Sequence, residues 1–317
     1  VLQELYALHK ADNPSIAQFE KELFKSVDQT YDLYRMLLVL LFEIQEFAEQ
    51  KIEQAKAKKV PTLEDLHPNT KFVDNKVLQS LRKNQNLLTF VKESKFSWNK
   101  HPDVLKAVFN EIKDSDTYQS YLKSSDRSFT EDKNFVSRIL DEIVLNNDSL
   151  YQWLEDNSIF WNDDIGYAGT MANKTIARMK EQDSLYMPLL PKFKNEEDLD
   201  FVRTLFRKTA VNATEHNNLV QSYVDNWDVD RIAFMDILIM RIAITEMIEF
   251  PSIPIKVTLN EFLEISKEYS TIKSSIFING ILDKIIVKLK AEKVIIKSGR
   301  GLIGENNEEL EDEENEE

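Results

Sequence analysis

The stretch that decides the fold runs from Pro251 to Lys284: PSIPIKVTLNEFLEISKEY at 251–269, then SSIFINGILDK at 274–284. Two short apolar-periodic runs are punctuated there by polar residues that a plain core helix does not require. Pro251 and Pro254 end the preceding helix, because a prolyl ring cannot continue it and pushes the residue before it towards extended geometry. Thr258 and Glu261 read as a Thr-x-x-Glu capping box that opens a helix over 258–270. A second helix is predicted over about 274–293. Asn279-Gly280 falls inside it, where glycine costs about 1 kcal/mol relative to alanine. Something must therefore approach that backbone closely, and a tight helix crossing is the main expectation for Gly280.

Outward from this stretch, the composition points to an all-α chain. Only six glycines occur in 317 residues, none before Gly166, and three of them fall at Gly299, Gly301 and Gly304. Sheet-rich folds need glycine in tight turns, and nucleotide-binding α/β folds need it at phosphates. Cysteine is absent, which excludes disulfides and thiolate metal sites and is compatible with a reducing cytosol. The densest apolar run, Met36 to Phe42, is far too short to span a bilayer. Val1 stands in mid-pattern without an initiator methionine, so an upstream segment is expected.

Charge is unevenly spread. The net charge is −15, but residues 305–317 hold nine acids and no base, which leaves −6 for 1–304. Just before that tail, Lys284, Lys288, Lys290, Lys293, Lys297 and Arg300 face only Glu292. Phosphate backbones respond to such a local patch rather than to the total. A broad, sequence-blind nucleic-acid binder is nonetheless disfavoured.

Along the chain, helices are predicted at 1–10, at 14–59 with one break near Asp28, and at about 71–84, 101–114, 116–124, 129–146, 148–156 and 163–182. Pro102 opens one of these at its first position, and Asn147-Asp148 caps another. Asn195, followed by three acids, caps a helix running to about Asp225, and Asp228 caps the next, to about Glu249. Trp98, Trp153 and Trp161 all lie between 14 and 192, which argues that this segment packs rather than links. The expected organisation is a core made of 1–10 and 193–300, an 11–192 helical elaboration, and a disordered acidic tail over 301–317.

No catalytic pattern emerges. The four histidines, His9, His67, His101 and His216, show no helical metal spacing, and Glu246/Glu249 or Glu261/Glu264 suit a solvated face or caps. P-loops, nucleophile elbows and dinucleotide turns are missing, so no cofactor is expected. RNA is the chemistry that the residues best allow. Lys256, Lys267, Lys273, Lys284 and Lys288 come from consecutive elements around Phe277. An aromatic ring among lysines can stack a splayed base while the ammonium groups hold phosphate. Alternatively, Phe277 packs inward with Ile281 and Leu282, and the lysines are ordinary surface. Spacing does not choose between these.

Several motifs do resemble a known family. P-x-K-V-x-L-N-E-x-x-E-x-x-K followed by FINGILDK is similar to the C-terminal half of the NusB family of transcription antitermination proteins. So are DLDFVRTLF at 198–206 and WDVDRIAFMDILIMRIAITEM at 227–247, while VLQELYAL at 1–8 looks like the later part of that family's first helix. The resemblance covers roughly 197–293 and the first ten residues. It implies an all-α NusB-like bundle and a non-enzymatic factor that binds the single-stranded boxA element of ribosomal-RNA transcripts, within the RNA polymerase antitermination complex. Carried over by motif, Lys256, Lys267, Phe277, Asn279 and Lys284 would meet RNA, with Arg241 a further candidate. Lys273 stands where better-known members carry an acid and would add a phosphate contact or alter selectivity. The family's usual arginine-rich N-terminal run does not precede Leu2 here.

The resemblance also implies a protein partner, NusE, a small-subunit ribosomal protein, met by Tyr6, Asp230 and Asp236. A first-turn dipole position explains Asp230 at least as well, and plain solvent exposure is the alternative for Asp236. Two other classes stay open. One is a protein-only scaffold without RNA binding; the other is an accessory domain of an RNA-modifying enzyme.

Overall fold

The computed structural model describes residues 1–303 except 162, 184 and 225–232. Among them it holds fifteen α-helices and no strand. The all-α expectation is met. The chain divides into two compact units, one formed by 1–24 with 193 onward and the other by 25–192. The division falls after Phe24, not at residue 10. The expected cap Asp228 and nearly all of the acidic tail lie outside the described residues.

In chain order the helices are α1 Leu2–Lys10, α2 Ile16–Lys56, α3 Leu63–Leu66, α4 Lys76–Lys83 and α5 Gln85–Ser94, followed by α6 Pro102–Asp114, α7 Asp116–Lys123, α8 Phe129–Glu142, α9 Asp148–Asn157 and α10 Ile165–Arg178. Then come α11 Glu196–Val211, α12 Ala213–Gln221, α13 Phe234–Glu249, α14 Ile255–Tyr269 and α15 Ile272–Ala291. α2 does not break near Asp28. No Gly or Pro interrupts Ile16–Lys56, and the Asp28 carboxylate pairs with Lys192 instead of capping a helix. α5 is absent from the sequence reading; Asn84 caps it by accepting from the amides of Asn86 and Leu87. Asn212 splits the helix expected over 196–225 into α11 and α12.

The 25–192 unit is built around the Leu33–Ile44 stretch of α2, whose apolar residues are almost wholly buried, as expected of a helix that is hydrophobic all round. Trp98 is completely buried and donates from Nε1 to the Met36 carbonyl at 2.8 Å. The Trp161 indole donates to the Gln29 carbonyl at 3.0 Å, and Trp153 stacks on Trp161 with ring centroids 5.8 Å apart. The tryptophans therefore pack, as their placement suggested. Buried polar groups are paired here as well. Tyr121 donates to Asp132 at 2.6 Å, and burial drives its phenol pKa up.

In the other unit α13 is the central helix, packed by α1, α11, α12, α14 and α15. Every residue from Leu238 to Met247 is buried, so α13 too is buried on all sides. The expected Thr258–Glu261 capping box is not formed. α14 begins a turn earlier, at Ile255 after Pro254, and Thr258 is fully buried inside it. The capping box that does exist lies at the next helix, where Thr271 and Ser274 exchange hydrogen bonds at the start of α15. Gly301 has the role predicted for Gly280: a Cβ there would meet the Pro251 carbonyl oxygen at 1.9 Å. Ser298 N–H donates to that same oxygen at 3.0 Å, fastening the segment after α15 to the turn before α14.

Candidate nucleic-acid interface

The site is carried by α14 and α15, which pack against each other and against α13. α15 buries Ile278, Ile281, Leu282, Ile285 and Leu289. At 100° per residue this leaves Lys273, Ile276, Gly280, Lys284 and Val287 on the outward face. All five are exposed, Ile276 by 75% and Val287 by 71%. Two large apolar side chains therefore stand in solvent on one face of this helix. A Cβ on Gly280 would meet nothing within 4 Å. The expected helix crossing is thus corrected: no described group approaches this glycine, and its open surface lies between Ile276 and Lys284.

Phe277 lies at the edge of that face. It is half-buried, with part of its ring packed on the core that holds Ile281 and Leu282. Both alternatives raised for it hold in part, since the ring is anchored inward without being sealed. Lys273, Lys284 and Lys288 fall along the same edge at i−4, i+7 and i+11 from Phe277, the first two exposed and the third partly buried. Asn279 is on the opposite flank, where its amide donates to Asp283 at 3.1 Å. Lys256 and Lys267 are exposed and share one side of α14, while Glu261 and Glu268 occupy the other. Lys267 also pairs with Glu264 one turn before it, at 2.5 Å.

Arg241 does not join this surface. Only 5% of it is exposed, and its guanidinium donates to the Thr209 carbonyl at 3.2 Å, tying α13 to α11. Burial lowers its pKa. Its place in the middle of a helix covered on all sides puts it out of reach of a strand. Asp236 is corrected in the same way. It is 5% exposed and accepts from Ser270 Oγ at 2.5 Å, and the Ser274 hydroxyl lies 3.0 Å from Ser270 Oγ, which can accept from it. The acid therefore fastens the start of α13 to the start of α15. Asp230 lies outside the described residues. Tyr6 is exposed by 38% on α1, with its ring 5.9 Å from Phe234 and the Lys10 ammonium 5.6 Å over it. His9 stacks on the other side of this cluster, 4.0 Å from Phe234.

The sequence reading missed one buried cluster. Burial raises the Glu246 carboxyl above its ordinary range, against the Thr258 hydroxyl and the Lys297 charge, which pull it down. Lys297 is itself nearly buried and donates to the Phe250 carbonyl at 3.0 Å. Its only sequence signal was a lysine in an apolar stretch, VIIKSG at 294–299. Among the described residues no group of three or more His, Asp or Glu is placed to hold a metal ion.

A family model described as the NusB family matches residues 167–287, from within α10 to the last turns of α15. Three relatives named transcription antitermination protein NusB align with the chain. Identity is 41% over 105 residues for the protein from Salinibacter ruber, covering 33% of this chain and 66% of the relative. It is 42% over 104 residues for that from Chloroherpeton thalassium, covering 33% and 49%. It is 35% over 95 residues for that from Natranaerobius thermophilus, covering 30% and 68%. This chain belongs to the NusB family. It spans about two thirds, half and two thirds of the lengths of these three relatives, and its own first 166 residues fall outside the family-model match. No solved structure matches it. Among the described residues no helix is long and apolar enough to cross a membrane.

Proposed function

We propose that this NusB-family protein is a transcription antitermination factor that binds boxA-like single-stranded RNA of ribosomal-RNA transcripts with the α14–α15 face, alongside NusE. The observation that carries the reading is the edge of α15, where Lys273, Phe277, Lys284 and Lys288 line up beside Gly280. A ring anchored in the core on one side keeps a fixed face for stacking, which lowers the ordering cost of binding. The lysines supply sequence-independent phosphate contacts, and Asn279, across the face from them, could offer its amide to a base edge only by giving up Asp283. Gly280 leaves space for a strand to approach the helix backbone, at the cost of helix stability.

Lys256 and Lys267 would extend the basic surface along α14. Tyr6, with the aromatic cluster at Phe234, is the part of the partner surface that stays open to a ribosomal protein. No catalytic role is proposed, and residues 25–166, which precede the NusB match, are an addition to the family core.

The test is a salt-titrated RNA-binding measurement with a boxA-type strand, with and without NusE. Phe277→Ala should weaken binding by about 1–3 kcal/mol with the salt dependence unchanged, because a stacking contact and no phosphate contact is lost. Lys284→Gln should instead flatten the salt dependence by about 0.7 in the log–log slope. Unchanged affinity in both folded variants would leave a protein-only scaffold as the better account.

A further inference from the structure

The 25–192 unit has a cavity of about 490 Å3 between α2 and α6, within the size range of small-ligand sites. Both walls are helical stripes. α2 contributes Phe47 and Lys51 one turn apart, and α6 contributes Lys106, Phe109, Asn110 and Lys113 at i, i+3, i+4 and i+7. The third side is the α3 segment, held by its Thr62–Asp65 capping box and by the Lys58–Asp65 pair at 2.8 Å. Phe47 and Phe109 meet edge to face, with centroids 5.4 Å apart, and both stay partly open.

The lining sets Lys51, Lys106 and Lys113 against the carboxylates of Glu64 and Asp65, of which Asp65 is already paired with Lys58. Lys51, Lys106 and Lys113 are exposed, and none has an acidic partner among the described residues. Lys51 instead sits 5.1 Å over the Phe47 ring. The Asn110 amide, at the mouth, also engages nothing among the described residues.

We propose that this cavity is a second binding site for single-stranded RNA, with one base against the partly open Phe109 ring and adjoining phosphates on the three lysines. Each component has a use in that ligand: rings for a π-face, ammonium groups for phosphates, and an amide for a base edge. Lys106 and Lys113 are seven residues apart, about 10 Å along the helix. That span exceeds one phosphate and favours a strand over a free mononucleotide. An acidic peptide would use the charges but leave the Phe109 ring and the amide without a specific role. The proposal concerns residues outside the NusB match and does not depend on RNA binding by α15.

The experiment uses the full chain carrying Phe277→Ala and Lys284→Gln, so that the α15 surface is weakened throughout. A short 4-thiouridine-containing single-stranded RNA is cross-linked to it, and affinity is measured against salt. Cross-links should fall on tryptic peptides containing Phe47 or Phe109. Replacing Lys51, Lys106 and Lys113 together by Gln should weaken binding roughly tenfold and flatten the salt slope by about 2, whereas replacement by Arg should retain both. Thermal melting should be unchanged, because all three side chains are exposed. Unchanged RNA affinity and slope in the Gln variant would overturn the proposal. So would AMP competing as well as the strand, or a polyglutamate peptide binding this site more tightly than RNA.

Discussion

The two units treat the ends of their helices differently. In the 25–192 unit Thr62, Asn75, Asn84, Ser115, Ser128 and Asn147 each accept a hydrogen bond from the first turn of the helix they open. In the other unit α1, α12, α13 and α14 begin with no side-chain cap, as α6 and α10 do in the 25–192 unit, and Ser15, Asn195 and Thr271 provide one. The second unit also carries an exposed mid-helix glycine with exposed Ile276 and Val287 around it. Where local rules are obeyed, structure is specified element by element. Where they are broken without an internal gain, the surface is the place to look for a ligand. The NusB-like unit breaks them at α15.

The sharpest way to test this contrast is to damage the self-contained unit alone. Trp98→Ala removes a fully buried indole and its hydrogen bond to Met36, at a cost of about 3–5 kcal/mol. Denaturant unfolding followed by tryptophan fluorescence, with Trp153 and Trp161 as reporters, should show the loss. At temperatures where the variant is still folded, boxA-type RNA affinity should stay within twofold of the parent. A large loss of RNA affinity in the folded variant would mean that the units are not functionally separable.

Gly301→Ala probes the other unit's dependence on a close approach. Its Cβ would collide with the backbone oxygen of Pro251, which cannot yield as a flexible side chain could. A cost of about 1–3 kcal/mol is expected from the forced shift. Hydrogen exchange should report it as lost protection at Ser298 N–H, which donates to that same oxygen. Retained protection would show that the turn before α14 can move to make room.

What was legible in the sequence divides along the same lines. Asn195, Pro102 and Asn147 announced their helices because a cap is a local signal, and the three tryptophans announced a core because an indole is rarely left in water. The continuity of α2 was not legible. Asp28 looks like a cap, and the lysine that engages it is far away in sequence. Thr258 and Glu261 matched the capping-box pattern, yet Pro254 had already started the helix, so tertiary burial took the threonine instead. Arg241 and Asp236 read as surface groups because charge usually is. Their burial follows from α13 being covered by five helices, which no local pattern encodes. Gly280 and Gly301 were exchanged: each sits in a stretch that looks helical or terminal, and only the packing shows which backbone is crowded.

His216 gives the NusB-like unit an acid-side weakness. It is buried, with Nδ1 3.3 Å from Thr245 Oγ1, and burial lowers its pKa; the charge of Arg241 adds to this while those of Glu215 and Glu249 oppose it. The native state therefore holds a neutral imidazole, and the unfolded chain takes up the proton first. Stability from this group is complete above about pH 6.5 and is lost as pH falls below it, with a limiting slope of about 1.4 kcal/mol per pH unit. Glu246, whose pKa is raised, works in the opposite direction nearer its own range. Comparing the parent with His216→Gln across pH 5–8 isolates the histidine. The parent's stability advantage should shrink on the acid side, and a constant difference would reject the assignment.

The smallest effect discriminates best between a structural and a functional glycine. Gly280→Ala adds a methyl group to a helical position with open space around it. Helix propensity alone then predicts a gain of about 0.5–1 kcal/mol in stability. If RNA passes close to the α15 backbone, the same methyl should weaken binding even as the protein melts later, so stability and affinity move in opposite directions. A variant that is both more stable and equally tight would remove Gly280 from the interface and leave its position in the helix without a ligand-based reason. Phe277 and the lysines would then have to account for recognition without the gap beside them, and the contrast between the units would rest on exposed Ile276 and Val287 alone.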